Sequence, residues 1–239
     1  MNQQSKITMP TFFLSAPAPC PYLANKQERK LFSVLSGAGA DAIHNSLTHS
    51  GFRRSQNIVY RPACEACKAC QSVRIVARDY QQTKSDKRII NRNAEVVATH
   101  HAPQATDEQF TLLSRYLNSR HAQGSMTTMT RKDYTAMVQD SDVDTYLIEY
   151  RREGKLVACL LGDRMYDGFS LVYSFYTPDA PQDSLGNYMI LEHIKRATQA
   201  QLPYLYLGYL VENCQKMAYK KRFQPLQSLT QEGWLDYET

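Results

Sequence analysis

Thr145-Tyr-Leu-Ile-Glu-Tyr150, Lys155-Leu-Val-Ala-Cys-Leu-Leu-Gly-Asp-Arg-Met165 and Phe169-Ser-Leu-Val-Tyr-Ser-Phe-Tyr-Thr177 succeed one another, with the turn dipeptides Glu153-Gly154 and Asp167-Gly168 between them. Before Asp140 the apolar residues recur at about 3.6; here the period drops to two. Runs of this kind joined by short glycine turns predict three successive antiparallel strands.

Downstream, Asp183-Ser184 is a capping signal for a helix from Leu185 to about Gln201. Pro203–Leu210 reads as one more strand and Cys214–Phe223 as a last short helix. Strand-strand-strand-helix-strand is the core order of the acetyltransferase-like fold. In that fold the central strand parts from its neighbour and exposes backbone groups to a substrate carbonyl. The middle of that strand is Tyr173-Ser174-Phe175-Tyr176, and Leu185-Gly186-Asn187 opens the next helix, whose free N–H groups suit a phosphate or an oxyanion. Ser184-Leu185-Gly186 is short and lacks arginine, a poor pyrophosphate loop, so an acyl donor other than acetyl-CoA is expected.

Upstream, prolines at 10, 17, 19 and 21 make the first 25 residues an extended arm, anchored by Phe12, Phe13 and Leu14. Asn25 with Glu28 resembles a capping box and predicts a helix carrying Leu31, Phe32 and Leu35 on one face. Gly37–Gly39 interrupt it, and a second helix runs from about Asp41, with Ile43 and Leu47 inward, to a stop at Gly51. Asn57–Tyr60 and Ser72–Ala77 read as short strands. Ser85–Val97 reads as a helix with Lys84, Arg88 and Arg92 at intervals of four, a solvated face or a phosphate contact. His100-His101-Ala102-Pro103 breaks the pattern; adjacent histidines on an extended chain point apart, which favours surface or linker over a metal pair. The change of domain is placed between 98 and 106. A Thr106/Gln109 capping box then opens a helix burying Phe110, Leu113, Tyr116 and Leu117. Gly124–Thr128 is a loop, and Thr130-Arg-Lys-Asp133 starts a helix with Tyr134, Met137 and Val138 inward. The expected fold is α+β: a small N-terminal α/β domain with a cysteine turn, residues 1–100, and a C-terminal acetyltransferase-like domain, residues 101–239.

The cysteine turn lies in Gly51-Phe-Arg-Arg-Ser-Gln-Asn57 through Tyr60-Arg-Pro-Ala-Cys64-Glu-Ala-Cys67-Lys-Ala-Cys70. Three thiols spaced by two residues can converge on one ion, with Cys20 as the fourth ligand and Cys159 or Cys214 as weaker choices; zinc or an iron-sulfur cluster would fit four thiolates. Three reduced cysteines in a compact turn is the other reading. Six cysteines, and no apolar run in Met1-Asn-Gln-Gln-Ser-Lys6, argue for a reducing cytoplasm, without membrane span or disulfide scaffold. The 239 residues, 43% hydrophobic, allow a proper core, and the net charge of +5 is mild. Its distribution is not: residues 51–92 hold ten Lys/Arg (53, 54, 61, 68, 74, 78, 84, 87, 88, 92) against Glu65, Asp79 and Asp86, an excess of seven that suits a polyanion or an acidic peptide.

Cys20-Pro-Tyr-Leu23, Glu28-Arg-Lys30, Gly51–Asn57, Tyr60-Arg-Pro-x-Cys64, Leu207-Gly-Tyr209 and Lys216-Met-x-Tyr219-Lys220-x-Arg222-Phe223 are together similar to the aminoacyl-tRNA-protein transferases, and more narrowly to their short bacterial aspartate/glutamate leucyltransferase branch. The resemblance runs in order from about residue 12 to the C-terminus. It implies a donor esterified to the 3′ end of Leu-tRNA, an acceptor α-amine on proteins beginning with Asp or Glu, and a product marked for degradation. It does not carry over Cys20 as a ligand, because Leu23 stands where longer relatives have the second cysteine. A side-chain carboxylate is best met by an arginine fork. Arg53, Arg54 and Arg61 are therefore the acceptor-binding candidates, with Asn57 and Tyr60 orienting, while Arg54 or Arg61 could instead bridge the two halves. Donor-binding candidates are Lys216, Tyr219, Lys220 and Arg222, with Ser174, Gly186 and the basic face of Lys84, Arg88 and Arg92. Tyr173, Tyr176, Glu212 and Asp163 are unranked proton relays, alongside substrate-assisted transfer with no dedicated base. No cofactor is required for the chemistry. The alternatives are an arginyl transferase of the same family, a metal-binding RNA-binding protein without transferase activity, and an acetyl-CoA enzyme.

Overall fold

The computed structural model describes residues 10–120 and 125–238. In chain order these form β1 (Phe12–Leu14), β2 (Ala18–Pro19), β3 (Gln27–Glu28), β4 (Lys30–Val34), α1 (Ala40–His49), β5 (Arg53–Ser55), β6 (Ile58–Pro62), β7 (Cys70–Val76), α2 (Lys84–Arg92) and β8 (Val97–His101). There follow α3 (Asp107–Arg120), α4 (Arg131–Gln139), β9 (Thr145–Arg152), β10 (Lys155–Met165), β11 (Gly168–Tyr176), α5 (Leu185–Gln199), β12 (Tyr204–Val211), β13 (Leu226–Thr230) and β14 (Gly233–Asp236).

The three strands predicted from period two form, with β12, the middle of an eight-stranded mixed sheet of order β14-β13-β7-β12-β11-β10-β9-β8. Glu153 (φ 51) and Gly154 (φ 78) both take positive φ, the geometry that lets a two-residue turn follow the strand twist. Alternate side chains of β9 and β10 enter different cores. Leu147, Cys159 and Leu161 pack with Leu113, Leu117 and Tyr134 of α3 and α4. Ile148, Ala158 and Leu160 pack with Leu185 and Met189 of α5. Helices cover both faces, which is why β10 reads as a nearly unbroken apolar run. At Gly168 a Cβ would overlap the Tyr204 carbonyl oxygen, so this position must be glycine for β11 to meet β12.

The N-terminal part builds a second sheet, β1-β4-β6-β5. The helix expected after Asn25 is not formed: Asn25 has φ 58, and Lys30–Val34 is strand β4, held between β1 and β6 with Phe32 opposite both Phe13 and Tyr60. Two ladders of backbone hydrogen bonds outweigh a capping signal followed by only three apolar residues. The N-terminal arm is tied down by β1, although its anchors stay exposed (Phe12 41%, Phe13 48%, Leu14 50%); Phe13 lies against Phe32 and Phe12 against Phe52. α1 forms and ends at Gly51 with φ 83, as predicted.

α2 stops at Arg92, short of Val97, because Asn93 turns inward and its amide donates to the carbonyls of Ile89 and Asp183. His100 and His101, expected as surface or linker, are exposed and lie on edge strand β8, paired to β9. The boundary placed at residue 100 falls within β8, and the large sheet takes β7 and β8 from one side of it and β9–β14 from the other. The capping boxes at Thr106/Gln109 and Thr130/Asp133 both form. Gly124, like Met1–Lys6, lies outside the described residues, and Ser125–Thr128 is a 3₁₀ turn. The last predicted helix is a 3₁₀ helix, Gln215–Arg222, followed by the hairpin β13–β14, where Trp234 donates to the His49 carbonyl and lies against Arg74. Among the described residues no helix is long and apolar enough to cross a membrane.

Candidate active site at the parting of two strands

β11 and β12 run parallel only from Gly168↔Tyr204 to Ser170↔Tyr206 and then part. Each strand carries a bulge just beyond. On β11 the register against β10 jumps from Gly162↔Leu171 to Leu161↔Tyr173, leaving Val172 without a partner. On β12 it jumps from Tyr206↔Arg74 to Gly208↔Val73, leaving out Leu207. Such bulges re-aim backbone groups beside functional sites.

Two basic side chains donate to carbonyls of the bulged strands. Arg53, from β5 of the small sheet, donates through Nη2 to the Val172 carbonyl at 2.5 Å. Lys220, from the 3₁₀ helix, is buried and donates through Nζ to the carbonyls of Leu207 (2.8 Å) and Tyr209 (2.5 Å). Gly208 sits between these carbonyls with φ 70, and a Cβ there would lie 3.0 Å from Arg53 Cδ. Burial, reinforced by the nearby Arg53 charge, drives the Lys220 amine well below its ordinary range.

Tyrosines surround this point. Tyr22, Tyr60, Tyr209 and Tyr219 act on Arg53. The Tyr209 hydroxyl lies 2.9 Å from the Gly51 carbonyl and 2.8 Å from that of Tyr60, sharing its one proton between them. Burial pushes the Tyr173 phenol up to about 12. Tyr22 also rises to about 12, through burial and then the Tyr60 hydroxyl. At neutral pH Tyr22 and Tyr173 are therefore hydrogen-bond donors and not bases. Tyr176 packs on Gly186, where a Cβ would lie 3.1 Å from its ring, and its ring centroid is 5.0 Å from that of Tyr116. Ser174 is half-buried on β11, opposite Leu160. Ser184, at φ 52, begins α5 without a side-chain cap.

Of the residues singled out in the sequence, Arg53 and Lys220 meet at the parting, with Tyr60, Tyr173 and Tyr219 around Arg53. Others lie elsewhere. Arg54 is buried in an ion pair with Asp163 and in contact with Thr145 and the Gln56 carbonyl, so neither Arg54 nor Asp163 faces a ligand. Asn57 is exposed on the β5–β6 turn, its carbonyl accepting from Leu35. Arg61 is exposed, 5.2 Å over the Phe52 ring, and Glu212 is exposed beyond β12. Lys220 does not share an exposed face with Lys216 and Tyr219, because a 3₁₀ turn rotates the helical spacing and puts Lys220 inward. Arg222 pairs with Asp86 at 2.7 Å, tying the 3₁₀ helix to α2. On α2, Lys84 and Arg88 are exposed, while Arg92 donates to the Gln182 carbonyl. The buried role of Lys220 escapes a reading of the sequence; its only cue is the glycine inside Leu207-Gly208-Tyr209, a strand interior that glycine weakens unless a bulge needs it.

Beside Tyr60 and Tyr209 opens a cavity of about 300 Å³, into which Cys20, Cys64, Cys67 and Cys70 all face, with Glu28 and Lys30 paired at 2.9 Å on its wall. Burial, and then Cys20, Cys64 and Cys67, push the Cys70 thiol up to about 11. All four thiols are free, and among the described residues no three His, Cys, Asp or Glu side chains close into a metal-binding group. Four thiols lining one cavity are the donor chemistry of a thiophilic centre.

Parted parallel strands, bulges held by Arg53 and Lys220, and protonated tyrosines around them form the candidate site, and the class of protein, a transferase, follows from the family it belongs to. The profile of the arginine-tRNA-protein transferase N terminus matches residues 18–88, and that of its C terminus residues 108–230. The chain therefore belongs to that family. It is 53% identical over 235 residues, covering 98% of each chain, to the aspartate/glutamate leucyltransferase of Parvibaculum lavamentivorans. It is 52% identical over 240 residues to the protein of that name from Caulobacter vibrioides, covering 98% of this chain and 86% of the relative. The Rhizobium leguminosarum bv. trifolii protein of the same name is 49% identical over 245 residues, with 98% and 95% covered. Among solved structures, L-PGS from Bacillus licheniformis superposes with a TM-score of 0.44 at 16% identity, over 60% of this chain and 46% of that one. The GCN5-related glucosamine N-acetyltransferase region of a fungal GH3 β-N-acetylglucosaminidase gives 0.41 at 10% identity, over 85% and 23%.

Proposed function

We infer that the protein transfers leucine from Leu-tRNA to the α-amine of proteins beginning with Asp or Glu, creating a degradation signal in the cytoplasm. Leucyltransferases of that name align with this chain nearly end to end, and this observation carries the reading. The site supports it. An acetyl-CoA enzyme needs a glycine- and arginine-rich loop for the donor's pyrophosphate, and Ser184-Leu185-Gly186, which opens α5 here, is short and carries no arginine. The parted strands leave room for an ester donor beside Tyr173.

The reaction asks little of the protein. The free α-amine attacks the ester carbonyl, the C–N bond forms, and the C–O bond to the ribose breaks. The amine's proton leaves to the ribose oxygen, directly or through water. An α-amine titrating near 8 is partly free at neutral pH, so orientation supplies much of the rate. A protonated Tyr173 hydroxyl is a suitable donor to the oxyanion. Arg53 is the member of the predicted arginine set that reaches this point, and its fork suits the acceptor's side-chain carboxylate, with Tyr60 beside it. Lys84, Arg88 and Lys216, exposed on two elements joined through Arg222 and Asp86, suit the tRNA phosphates. The ester is already activated, so the transfer needs no cofactor; zinc or a cluster on the four cysteines is a separate proposal, tested by metal analysis of the purified protein.

The deciding experiment offers labelled Leu-tRNA and Arg-tRNA to peptides beginning with Asp, Glu, Lys or Ala. Leucine on the Asp and Glu peptides alone supports the reading. Arginine in place of leucine would move the protein to the arginyl branch, and RNA binding without transfer would overturn the enzymatic reading.

A further inference from the structure

Among the buried ionisable groups that the transfer chemistry leaves unused, Lys220 lies nearest the parted strands. Among the described residues Lys220 has no carboxylate partner; its Nζ is spent on two carbonyls of one strand, two residues apart. A lysine held in this way in the interior is costly unless the geometry it enforces matters. That geometry is the bulge of β12. Leu207 has dropped out of register with β7, Gly208 has turned to φ 70, and the side chain of Arg53 lies against the space a Gly208 Cβ would fill. Arg53 in turn holds the opposite bulge at Val172. The chain of contacts is continuous: Lys220, the Leu207–Tyr209 backbone, Gly208, Arg53, Val172.

We propose that Lys220 is a positioning residue that fixes the gap between β11 and β12, and through it the orientation and the side-chain range of the aminoacyl ester held there. It acts through Gly208 and Arg53 and touches neither phosphate nor reacting atom. The proposal rests on the transferase reading and adds to it the determinant of donor fit.

The test uses the full chain at 20 °C, with wild type, Lys220→Met, Lys220→Arg and Gly208→Ala. The readouts are leucine transfer to an Asp-initiated peptide, the ratio of leucyl to phenylalanyl transfer from the matching tRNAs, and near-ultraviolet circular dichroism for folding. A loosened gap misplaces the ester, so Lys220→Met should lower kcat on the order of 10- to 100-fold. The Kd for tRNA should stay within about twofold, since Lys220 touches no phosphate, while the KM for peptide should rise together with the loss of kcat, because Arg53 is displaced along with the bulge. The leucyl-to-phenylalanyl ratio should shift several-fold, which a merely stabilising lysine would not cause. Lys220→Arg, which keeps donors for both carbonyls, should recover part of kcat. Gly208→Ala enters the same bulge from the Arg53 side and should shift the ratio likewise, so it decides the matter if Lys220→Met does not fold. A folded Lys220→Met, or failing that Gly208→Ala, with wild-type kcat and donor ratio overturns the proposal. A wild type that transfers no leucine overturns the activity reading and this inference with it; transfer by wild type and Lys220→Met alike overturns this inference alone.

Discussion

Arg54 and Asp163 meet in a two-point ion pair, Nε to Oδ2 and Nη2 to Oδ1 at 2.6 Å each, with neither side chain exposed. It joins β5 of the small sheet to β10 of the large one. Arg53, one residue earlier, points the other way to the parted strands, as neighbours on a strand must. Two adjacent arginines thus divide into a bolt between sheets and a side chain laid on the parted strands.

Removing one half of the bolt leaves a buried charge without its partner. Arg54→Met should cost about 3–5 kcal/mol, read from urea unfolding, since breaking a buried pair strands the remaining ion. Asp163 would keep only Thr145 and the nearby His44. In the fraction still folded at 20 °C the KM for an acidic peptide should be unchanged; a large rise in KM would return Arg54 to the acceptor site.

Arg53→Ala should act in the opposite sense. Loss of a charge-assisted fork, at about 1.5–3 kcal/mol, should reduce kcat/KM for Asp and Glu peptides about 10- to 100-fold while the Kd of Leu-tRNA barely moves. Arg53→Lys should recover little of it, because an ammonium cannot make the two-point contact. Equal losses on donor and acceptor would end Arg53's assignment to the carboxylate.

The basic surface makes a prediction in salt. Neutralising a side chain that meets a phosphate should lower the slope of log K against log salt by about 0.7–0.9. Lys84→Gln with Arg88→Gln, both exposed on α2, should therefore reduce the slope for tRNA binding by about 1.5, with peptide KM unaffected. An unchanged slope would make α2 a solvated helix face.

What the sequence discloses, and what it does not, follows from the range of the forces involved. The central strands, α5 and the capping boxes at Thr106 and Thr130 are legible because period and caps are local, although α5 forms without the side-chain cap that Asp183-Ser184 suggests. β4 reads as a helix because its partners, β1 and β6, are supplied by other stretches of chain, and their ladders override a local cap. The Arg53/Arg54 pair is visible as chemistry, but which of the two serves the site depends on the phase of β5, fixed by Arg54 finding Asp163 109 residues away. Lys220 reads as part of a phosphate surface at a period of 3.6, whereas the chain makes a 3₁₀ turn there.

His193 supplies a pH signature for the fold itself. It is fully buried on α5, its Nδ1 donates to the Met189 carbonyl at 2.8 Å, its Nε2 has no partner, and its ring stacks on Tyr146 at 6.0 Å. Burial lowers its pKa from 6.5 to about 4, against the upward pull of Glu192 and with the downward push of Arg196. The folded state therefore holds His193 neutral where the unfolded chain takes up a proton. Stability is intact above pH 6.5, falls as pH drops from there to about 4, and levels off below. The difference between the two states corresponds to about 3 kcal/mol, most of it gone by about pH 4.5. His44, also lowered mainly by burial, adds a loss of the same sign. Urea midpoints at about pH 7.5 and 4.5 should thus differ strongly in the wild type and less in His193→Phe, which keeps the ring stack but cannot titrate. Equal pH slopes in the two proteins would mean that the folded chain protonates His193 as readily as the unfolded one, and that the α5 core admits the charge.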